Sequence, residues 1–594
     1  MNNFKFIFSL FVFFLCIQPV VSQDYTYTKN GKLYMPDGKE MAIFGVNFQP
    51  NLSWEYKRLQ KIGVQLSSNE LKKVTDESFT ELELMHVNSI RCHLTPADFV
   101  DHEGNIVETI YLDILDYMIA EASERGIYVT LAFINHMGSA HVSNSMWVGL
   151  NREEWIHNKK VVEKTKNYIT QLLNRSNPYL NVTYKETKHI AMWEIMNEPS
   201  VYSYDEIKNT GYFKDFLSWA EGKGKKEDQR TYLEYREELV RNYINTMHKL
   251  IRDSGARHPI VWNLNWHRYM REHEDVFRAV ASSHVEVVAM CNYPGQDLVG
   301  ENYGRNPKDL TETDFSEWFK TYYNDVTGYG WALSDAFKNK AKVVYEFETF
   351  FNQSRYLYPI QAQYFRALGV QAAQMWTYSL SVYGPYSSGS HVLSVTSTPG
   401  KAASFIIANE IFKSTRLYTN YEMDSPNEQV TDYYAISKER NVAIYSDLNR
   451  LYYSGDITKW NPLNVSENVK EVIGLGNSSL VKYNGTGLYF LKEIDGILHL
   501  TILPNVKHSK NQWDGRQEGV ITELDHTTKN KMSILLTNWD EGNYSIIERN
   551  KGNKYKLYAY RKKNLTDFHI QPGKYVIMKG KVNTKLLDLE SVNY

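Results

Sequence analysis

Eight short runs of apolar, β-branched and aromatic residues recur along the first two thirds of the chain, each with the length of a strand. In chain order they are AIFGVNF (42–48), NSIRCHL (88–94), IYVTLAFIN (127–135), IAMWEIM (190–196), PIVWNLNW (259–266), VEVVAMCNY (285–293), KVVYEF (342–347) and VQAAQMWTYS (370–379). Stretches with helical spacing of apolar residues lie between them, for instance residues 111–126, 232–255 and 359–369, and a final helix is predicted at 400–412. Eight strand-then-helix units match a (β/α)₈ TIM barrel better than a doubly wound sheet, which usually has fewer units. The sequence therefore predicts an α/β barrel.

After about residue 417 the pattern changes to short Tyr- and Val-rich runs separated by Asn, Gly and Asp, such as VAIYSDLNRLYYSGD and DFHIQPGKYVIMK. Such runs are typical of antiparallel strands joined by turns, and they predict a smaller β-sandwich domain. The expected organisation is a signal peptide at 1–22, a catalytic barrel at 23–416 and an accessory β-sandwich at 417–594. Because no low-complexity linker separates the last two, the sandwich is expected to dock directly on the barrel.

The first 22 residues combine an early lysine, an apolar run from Phe6 to Ile17 and a short segment of modest residues before Gln23. This pattern predicts a secretory signal peptide, and with it a secreted, periplasmic or cell-surface protein. A retained N-terminal anchor is the alternative, although the run is shorter than the roughly 18 apolar residues of a spanning helix. No transmembrane helix is expected in the mature chain.

Charge and cysteine content exclude two further classes of protein. The formal net charge is -2 at pH 7, whereas nucleic-acid binding needs a clear surplus of Lys and Arg. After cleavage only Cys92 and Cys291 would remain, and strand alternation points the first away from the barrel axis and the second toward it. A disulfide between them is not expected, so the fold must depend on its core.

Two predicted strands end in carboxylates. The fourth ends in NEP, so Asn197 and Glu198 should lie at the carboxyl ends of the barrel strands, where active sites of such barrels form. The seventh ends in YEFETF and supplies Glu346. Glycosidic cleavage uses two carboxyl groups, about 5 to 5.5 Å apart where the anomeric configuration is retained. The pattern indicates a paired-carboxylate site.

The pair WEIMNEP and VVYEFE, on a fourth and a seventh strand, resembles the signature of the clan A glycoside hydrolases. This is the retaining (β/α)₈ group that includes cellulases, β-mannanases and β-galactosidases, and the resemblance covers the barrel only. It implies that Glu198 is the general acid/base and Glu346 the nucleophile. The supporting residues that it implies are Arg91, which holds the nucleophile ionised, Tyr293, which hydrogen-bonds to it, Asn197, which holds the 2-hydroxyl, and Trp376, which forms a platform under the sugar.

The two glutamates must hold different protonation states. Glu198 must be protonated to assist the leaving oxygen, and Glu346 must be charged to attack. We expect Arg91 to lower the pKa of Glu346, and the charge of Glu346 to raise the pKa of Glu198. This chemistry needs neither a metal ion nor a cofactor.

Two other glutamates on these strands also need an interpretation. Glu348 has the same parity as Glu346, so both are expected to face the barrel interior, and Glu348 is the alternative nucleophile. We favour Glu346 because it follows a β-branched run at the end of the strand, whereas Glu348 falls one step into the loop. Glu194, inward by parity, is expected to be a structural charge buried against Arg91 or a neighbour on an adjacent strand.

Further residues at strand ends have two interpretations each. Asn135 and His136 close the third strand, where they line the site or cap the loop. Asn265 and Trp266 close the fifth strand and have the same two interpretations. The sequence alone does not decide between them.

The sequence supports a retaining β-glycoside hydrolase acting on a β-linked polysaccharide or oligosaccharide. A non-catalytic glycan-binding protein on a decayed barrel is the alternative from another class, and a transglycosylase using the same residues is a third. The presence of both glutamates with Arg91 and Tyr293 disfavours a decayed site. The identity of the sugar, endo or exo action, and hydrolysis or transfer remain open at this point.

Overall fold

The computed structural model describes residues 23–135, 146–294, 315–348, 354–389, 391–419, 428–512, 517–550 and 554–582. Eight parallel strands close into a barrel in chain order, which confirms the predicted fold class. They are β1 (Ile43–Asn47), β2 (Ser89–His93), β3 (Tyr128–Ala132), β4 (Ile190–Glu194), β5 (Ile260–Asn263), β6 (Val287–Asn292), β7 (Ala341–Phe347) and β8 (Val370–Met375). Nearly every residue in them is buried, because a barrel strand is covered on both faces. Each strand falls on one of the eight predicted runs.

Helices surround the barrel. Those described are α1 (Ser53–Lys61), α2 (Ser68–Leu84), α3 (Ile110–Glu124), α4 (Glu154–His157), α5 (Lys159–Asn174), α6 (Tyr204–Ile207), α7 (Phe213–Gly222), α8 (Gln229–Asp253), α9 (Tyr269–Ala281), α10 (Ser316–Asn324), α11 (Leu357–Ala367) and α12 (Pro399–Ser414). Their starts follow local chemistry: the side chain of Asp228 caps α8 through the backbone N–H of Thr231 at 2.8 Å. The four predicted helices correspond to α3, α8, α11 and α12. In the part of the chain that the structure describes, no helix is long and apolar enough to cross a membrane.

Strand β7 contains a bulge directly before its catalytic end. Met290 of β6 pairs with Val344, but the next residue, Cys291, pairs with Glu346, so Tyr345 is an extra residue in β7. A bulge of this kind interrupts the alternation of side chains between the two faces of a sheet. Tyr345 and Glu346 therefore both reach the interior of the barrel.

The C-terminal part forms two packed layers of sheet. A ten-stranded sheet, antiparallel except for one pair, contains the strands Glu428–Val430, Tyr434–Ser437, Val442–Ser446, Arg450–Tyr453, Glu471–Gly474, Tyr489–Ile494, Ile497–Ile502, Tyr544–Asn550, Lys554–Arg561 and Gly573–Lys579. A three-stranded sheet, Val481–Tyr483, Asn530–Ile534 and Phe568–Ile570, shares one apolar cluster with it. The predicted β-sandwich is confirmed.

The sandwich packs directly on the barrel, as expected. Tyr445, Tyr452 and Ile473 of the ten-stranded sheet belong to the same buried apolar cluster as the barrel. Arg450 also forms an ion pair of 2.7 Å with Glu410 of α12. A separate hairpin, β9 (Asn505–His508) and β10 (Thr522–Asp525), extends from the sandwich toward the loop that follows β8.

Candidate active site

Glu346 is held by two donors at the carboxyl end of β7. An Arg91 guanidinium nitrogen, Nη1, donates to its Oε1 at 3.0 Å, and the Tyr293 hydroxyl donates to its Oε2 at 2.7 Å. The side chain is buried, with 6% of its surface exposed. Each oxygen keeps a further lone pair, so one of them remains able to attack while the carboxylate stays fixed. The structure thus brings Arg91 and Tyr293 to the residue that the sequence assigns to them.

Arg91 is the centre of a buried network that joins four barrel strands. Its Nε and Nη2 donate to the two oxygens of Glu194 at 2.7 and 2.6 Å, which confirms the predicted structural charge. It also donates to the amide oxygens of Asn47 and Asn197, both at 2.9 Å. A planar guanidinium with fixed donors suits this arrangement, which a lysine would not reproduce.

Asn197 is oriented by the same network. Because its amide oxygen accepts from Arg91, its amide nitrogen is left as a donor, and no acceptor for it is found among the described residues. Its backbone N–H donates to Ile134 at 2.8 Å, which ties the end of β4 to the end of β3. An unengaged N–H₂ at this edge is the group that a sugar hydroxyl would accept from.

Glu198 lies on the opposite side of the site and has different neighbours. The Tyr345 hydroxyl donates to its Oε1 at 3.2 Å, and Arg152 lies 3.3 Å from its Oε2. The carboxyl group is partly exposed, at 17% of its side-chain surface, so it can reach a bound substrate. Its backbone has a φ of 43°, in the left-handed region that disfavours any residue with a Cβ atom. Such strain is found where a side chain must be aimed at a particular place.

The pKa values of both carboxyl groups are raised to about 7. Burial, followed by the nearby charge of Glu346, raises the pKa of Glu198 to about 7, against the lowering influence of Arg152. This agrees with the expected general acid. The mutual repulsion of two carboxylates means that the second one ionises with more difficulty than the first.

The prediction for the pKa of Glu346 needs a correction. Burial raises the pKa of Glu346 to about 7, although Arg91 and the Tyr293 hydroxyl both lower it as expected. Burial outweighs the two partners because the guanidinium also serves Glu194, whose own charge raises the pKa of Glu346. Since the cation and the hydroxyl lie closer to Glu346, at 3.0 and 2.7 Å, than to Glu198, at 3.3 and 3.2 Å, we expect Glu346 to ionise before Glu198.

Trp376 follows β8 at the same end of the barrel and is half-buried. Its ring stacks on the imidazole of His93, with the ring centroids 5.0 Å apart. Burial, followed by the Arg91 charge, keeps the pKa of His93 well below its usual range, so the ring is neutral. Arg91 can only donate, so Nε2 of His93 accepts from it at 2.7 Å, and the other ring nitrogen, Nδ1, lies 3.1 Å from the side-chain amide nitrogen of Asn135.

For Asn135 and Asn265, two of the residues left open, these contacts favour a supporting role behind the site. Asn135 supports His93 beneath the tryptophan, so it acts on the site through another side chain. Asn265 is buried, and its amide donates to the carbonyl of Pro199 at 2.9 Å, which fixes the turn that carries Glu198. Trp266 is 37% exposed and contacts Tyr269 edge to face. His136 lies outside the described residues.

The expectation that Glu348 faces the barrel interior is wrong. The strand ends at Phe347, and the Glu348 carboxylate turns outward to the helices, where Lys401 of α12 donates to it at 2.8 Å and Tyr358 of α11 at 2.9 Å. The parity argument fails because the strand has ended before Glu348, so the alternation of strand side chains no longer applies to it. Glu348 is thus a buried structural charge, and the preference for Glu346 as the nucleophile gains support.

Three residues of the site were not identified from the sequence. His93 shares the parity of Arg91 in β2, two residues away, so alternation offered a signal for it. Tyr345 was hidden by the bulge, which brings two consecutive side chains to one face. Arg152 lies in the segment between β3 and α4, which has no strand or helix periodicity that could single out a functional residue.

The two cysteines behave as expected. Both are free and buried, and the Cys92 thiol donates to the Asn51 amide oxygen at 3.0 Å, away from the site. The charges of Glu198 and Glu346 act on the thiol of Cys291, whose pKa is raised chiefly by burial, so Cys291 faces the interior. Among the described residues no group of three or more His, Cys, Asp or Glu side chains is placed to hold a metal ion.

Replacing Tyr293 by phenylalanine tests the assignment of the two ionisations. The variant Tyr293→Phe loses a hydrogen bond to a carboxylate, worth about 1.5 to 3 kcal/mol, so the pKa of Glu346 should rise by roughly one unit or more. The reaction needs this group charged, so the acid limb of the kcat/KM profile should move to higher pH. The matched control Tyr345→Phe removes a donor from Glu198 and should instead move the alkaline limb to higher pH. An unchanged acid limb in Tyr293→Phe would contradict the assignment.

Comparison with known proteins finds a partial similarity to mannan endo-1,4-beta-mannosidases. No protein-family model matches the chain. The chain is 32% identical over 98 residues to mannan endo-1,4-beta-mannosidase 2 of Arabidopsis thaliana, which is 15% of this chain and 23% of that relative. It thus matches about a quarter of the length of the curated relative.

The solved structures that match this chain include two from Rhizomucor miehei. An endo-1,4-beta-mannanase from Rhizomucor miehei has a TM-score of 0.45 and 14% identity, and the match covers 66% of this chain and all of that one (100%). A glycoside hydrolase family 5 mannosidase from the same organism has a TM-score of 0.46 and 11% identity, covering 66% of this chain and 98% of that chain. The closed eight-stranded barrel itself establishes the fold.

The fold and the site together define a (β/α)₈ barrel with a paired-glutamate site at the carboxyl ends of its strands. This arrangement agrees with the resemblance to the clan A glycoside hydrolases, and the curated relatives that match part of the chain are mannan endo-1,4-beta-mannosidases.

Proposed function

We propose that this protein is a retaining β-glycoside hydrolase whose substrate is a β-1,4-linked mannan or mannooligosaccharide. The observation that carries the proposal is the pairing of two glutamates with unlike surroundings: Glu346 is bonded to Arg91 and Tyr293, whereas Glu198 is bonded to Tyr345 and lies beside Arg152. The choice of mannan rests on the curated relatives. A decayed, non-catalytic barrel is disfavoured because none of these six side chains is missing or misplaced.

In the first step Glu346 attacks the anomeric carbon of a sugar that lies over the face of Trp376. The bond to the leaving oxygen breaks as Glu198 transfers its proton to that oxygen, and a glycosyl ester forms on Glu346. The Asn197 amide nitrogen donates to the 2-hydroxyl, a contact that strengthens as positive charge develops on the ring. Trp376 supplies an apolar face to the C–H side of the ring and excludes water.

In the second step Glu198 acts as a base. Once Glu346 is esterified it carries no charge, so one of the influences that raise the pKa of Glu198 disappears. The pKa of Glu198 then falls, and the carboxylate can take a proton from the water that attacks the ester. The product keeps the configuration of the substrate, and both glutamates return to their starting states.

We further propose that the protein is secreted or held at the cell surface, through the signal peptide expected at residues 1–22. The barrel at 23–416 would carry the reaction, and the β-sandwich from 417 would be the accessory domain. A polymeric substrate that cannot enter a cell is consistent with an exported enzyme. The absence of a surplus of basic residues gives no support to a nucleic-acid partner.

The proposed function predicts the stereochemistry of the products. Proton NMR during hydrolysis of mannooligosaccharides should show the β-anomer first, with the α-anomer appearing later by mutarotation, because double displacement retains configuration. A panel of soluble β-mannan, β-glucan and β-xylan, with products separated by size, identifies the sugar. If the α-anomer appears first, the double-displacement mechanism is wrong; if mannan is inert and another β-glycan is cleaved, only the substrate assignment is wrong.

A further inference from the structure

A cavity of about 640 Å³ lies beside the site and is built by two parts of the chain. One wall comes from the segment after β8, which begins next to the platform with Thr377 and includes the rings of Tyr383 and Tyr386. Helix α1 contributes Arg58 among others. The third contribution, Gln517–Gly519, comes from the connection between β9 and β10 of the C-terminal sandwich. Its volume lies within the range of about 300 to 1,000 Å³ that is typical of ligand pockets.

The sandwich also holds the segment after β8 in place. The backbone N–H of Ile521 donates to the carbonyl of Pro385, and that of Gly389 donates to the carbonyl of Gln512, both at 2.9 Å. The Gln512 side-chain amide donates to the carbonyl of Ser397 at 3.3 Å. These bonds lie on both sides of the cavity wall, so the C-terminal domain fixes its shape.

The position of the cavity relative to the two glutamates indicates which part of a substrate it faces. Glu198 protonates the leaving group, so the departing sugar lies on its side of the site. The cavity instead adjoins Trp376 through Thr377, and its His391 ring contacts Tyr293 with centroids 5.4 Å apart. Through His391 the cavity adjoins Tyr293, which bonds to Glu346, whereas none of its described lining residues contacts Glu198 in this way. We take this side of the site as the non-reducing side of the bond to be cleaved.

The lining is rich in aromatic and hydroxyl groups. Tyr383 and Tyr386 are half-buried with their rings stacked 6.2 Å apart, and the serine and threonine hydroxyls around them offer both donors and acceptors. The wall carries two basic residues, Arg58 and Lys61, and two acidic ones, Glu55 and Glu518, so the formal charges of the described lining cancel. Arg58 also pairs with Glu55 at 3.2 Å. Such a surface suits a neutral sugar, which combines apolar C–H faces with hydroxyl groups.

We infer that this cavity binds neutral sugar units on the non-reducing side of the cleaved bond, and that residues 517–519 of the C-terminal domain are a specificity-determining part of it. This inference rests on the proposed function. It makes the sandwich a component of the substrate site, and the length preference of the enzyme a property of both domains.

The test compares two substrates with one leaving group, 4-nitrophenyl β-mannoside and 4-nitrophenyl β-1,4-mannotrioside, which differ only in the non-reducing units. In Glu518→Trp the new indole projects from the C-terminal domain into the cavity. We expect kcat/KM for release of nitrophenol from the trioside to fall by at least about tenfold, while kcat/KM for the monoside stays within about twofold. Glu523→Trp, on the same hairpin but outside the lining, is the matched control and should change neither value.

The outcomes separate the two proposals. Activity on the monoside reports that the variant is folded and that the reaction centre is intact. If Glu518→Trp lowers both substrates equally, or lowers neither, the inference is wrong although the proposed function stands. If the wild-type protein cleaves no β-glycoside of the series or of the polysaccharide panel, the proposed function fails, and the inference fails with it.

Discussion

Glu346→Gln is expected to reduce kcat/KM on every substrate by on the order of 10⁴-fold or more, while the melting temperature stays close to that of the wild type. The amide keeps the size of the carboxylate and can still contact Tyr293, but it cannot form the glycosyl ester. Because the buried carboxyl already resists ionisation, with its pKa raised to about 7, its loss should not destabilise the fold. Initial rates and thermal unfolding measured on one preparation give both quantities.

Glu348→Gln is the matched control for this prediction. It removes one member of a buried ion pair with Lys401 and leaves that lysine uncompensated, which typically costs about 3 to 5 kcal/mol of stability. The melting temperature should therefore fall, whereas activity at temperatures where the variant is folded should remain far above that of Glu346→Gln. The opposite pattern, with activity lost in Glu348→Gln and kept in Glu346→Gln, would move the nucleophile to Glu348.

Glu198→Ala is expected to separate the two steps of the reaction. Without an acid, substrates whose leaving group needs a proton should lose nearly all activity, by roughly 10²- to 10⁴-fold. An activated aryl glycoside, whose phenolate leaves unaided, should still form the glycosyl ester on Glu346. The ester should then accumulate, because the same residue must also activate the water that hydrolyses it. Pre-steady-state release of the phenolate and intact mass spectrometry detect it.

Azide provides the corresponding rescue. A small anion that needs no base should enter the space left by the carboxylate, attack the ester and restore turnover, with a β-glycosyl azide as product. In Glu346→Ala azide should not restore the retaining reaction, since no ester forms. If azide fails to rescue Glu198→Ala, and no adduct is found with a slow activated substrate, then Glu198 is not the acid/base.

Much of this arrangement could be predicted because barrel chemistry is concentrated at strand ends. The eight apolar runs are long enough to identify strands without an alignment, and a strand that ends in NEP must place Asn197 and Glu198 at the rim. Arg91 was assigned to the nucleophile because it matches the arginine that the resemblance implies on the second strand. The strand ends thus indicated where the site lies, and the resemblance indicated which side chains meet there.

What could not be predicted depends on contacts between distant segments or on local irregularity. Alternation in β7 predicts the same face for Glu346 and Glu348, but the strand ends at Phe347, and no feature of VVYEFE marks that end or the bulge that brings Tyr345 to the site. Arg152 reaches Glu198 from another loop, so only the folded chain shows the pair. The pKa of Glu346 depends on the balance between burial and its partners, which a motif does not contain.

The left-handed backbone of Glu198 affects how the sequence of such a protein would change during evolution. A non-glycine residue in this conformation costs about 1 to 3 kcal/mol, and glycine would relieve that strain while removing a carboxyl group that is ionised with difficulty. Loss of Arg91 would instead destabilise the fold, because Glu194 and Glu346 would be buried together without a counter-charge. In a lineage released from selection for catalysis, mutational drift should therefore remove Glu198 early and retain Arg91 long after the chemistry is gone.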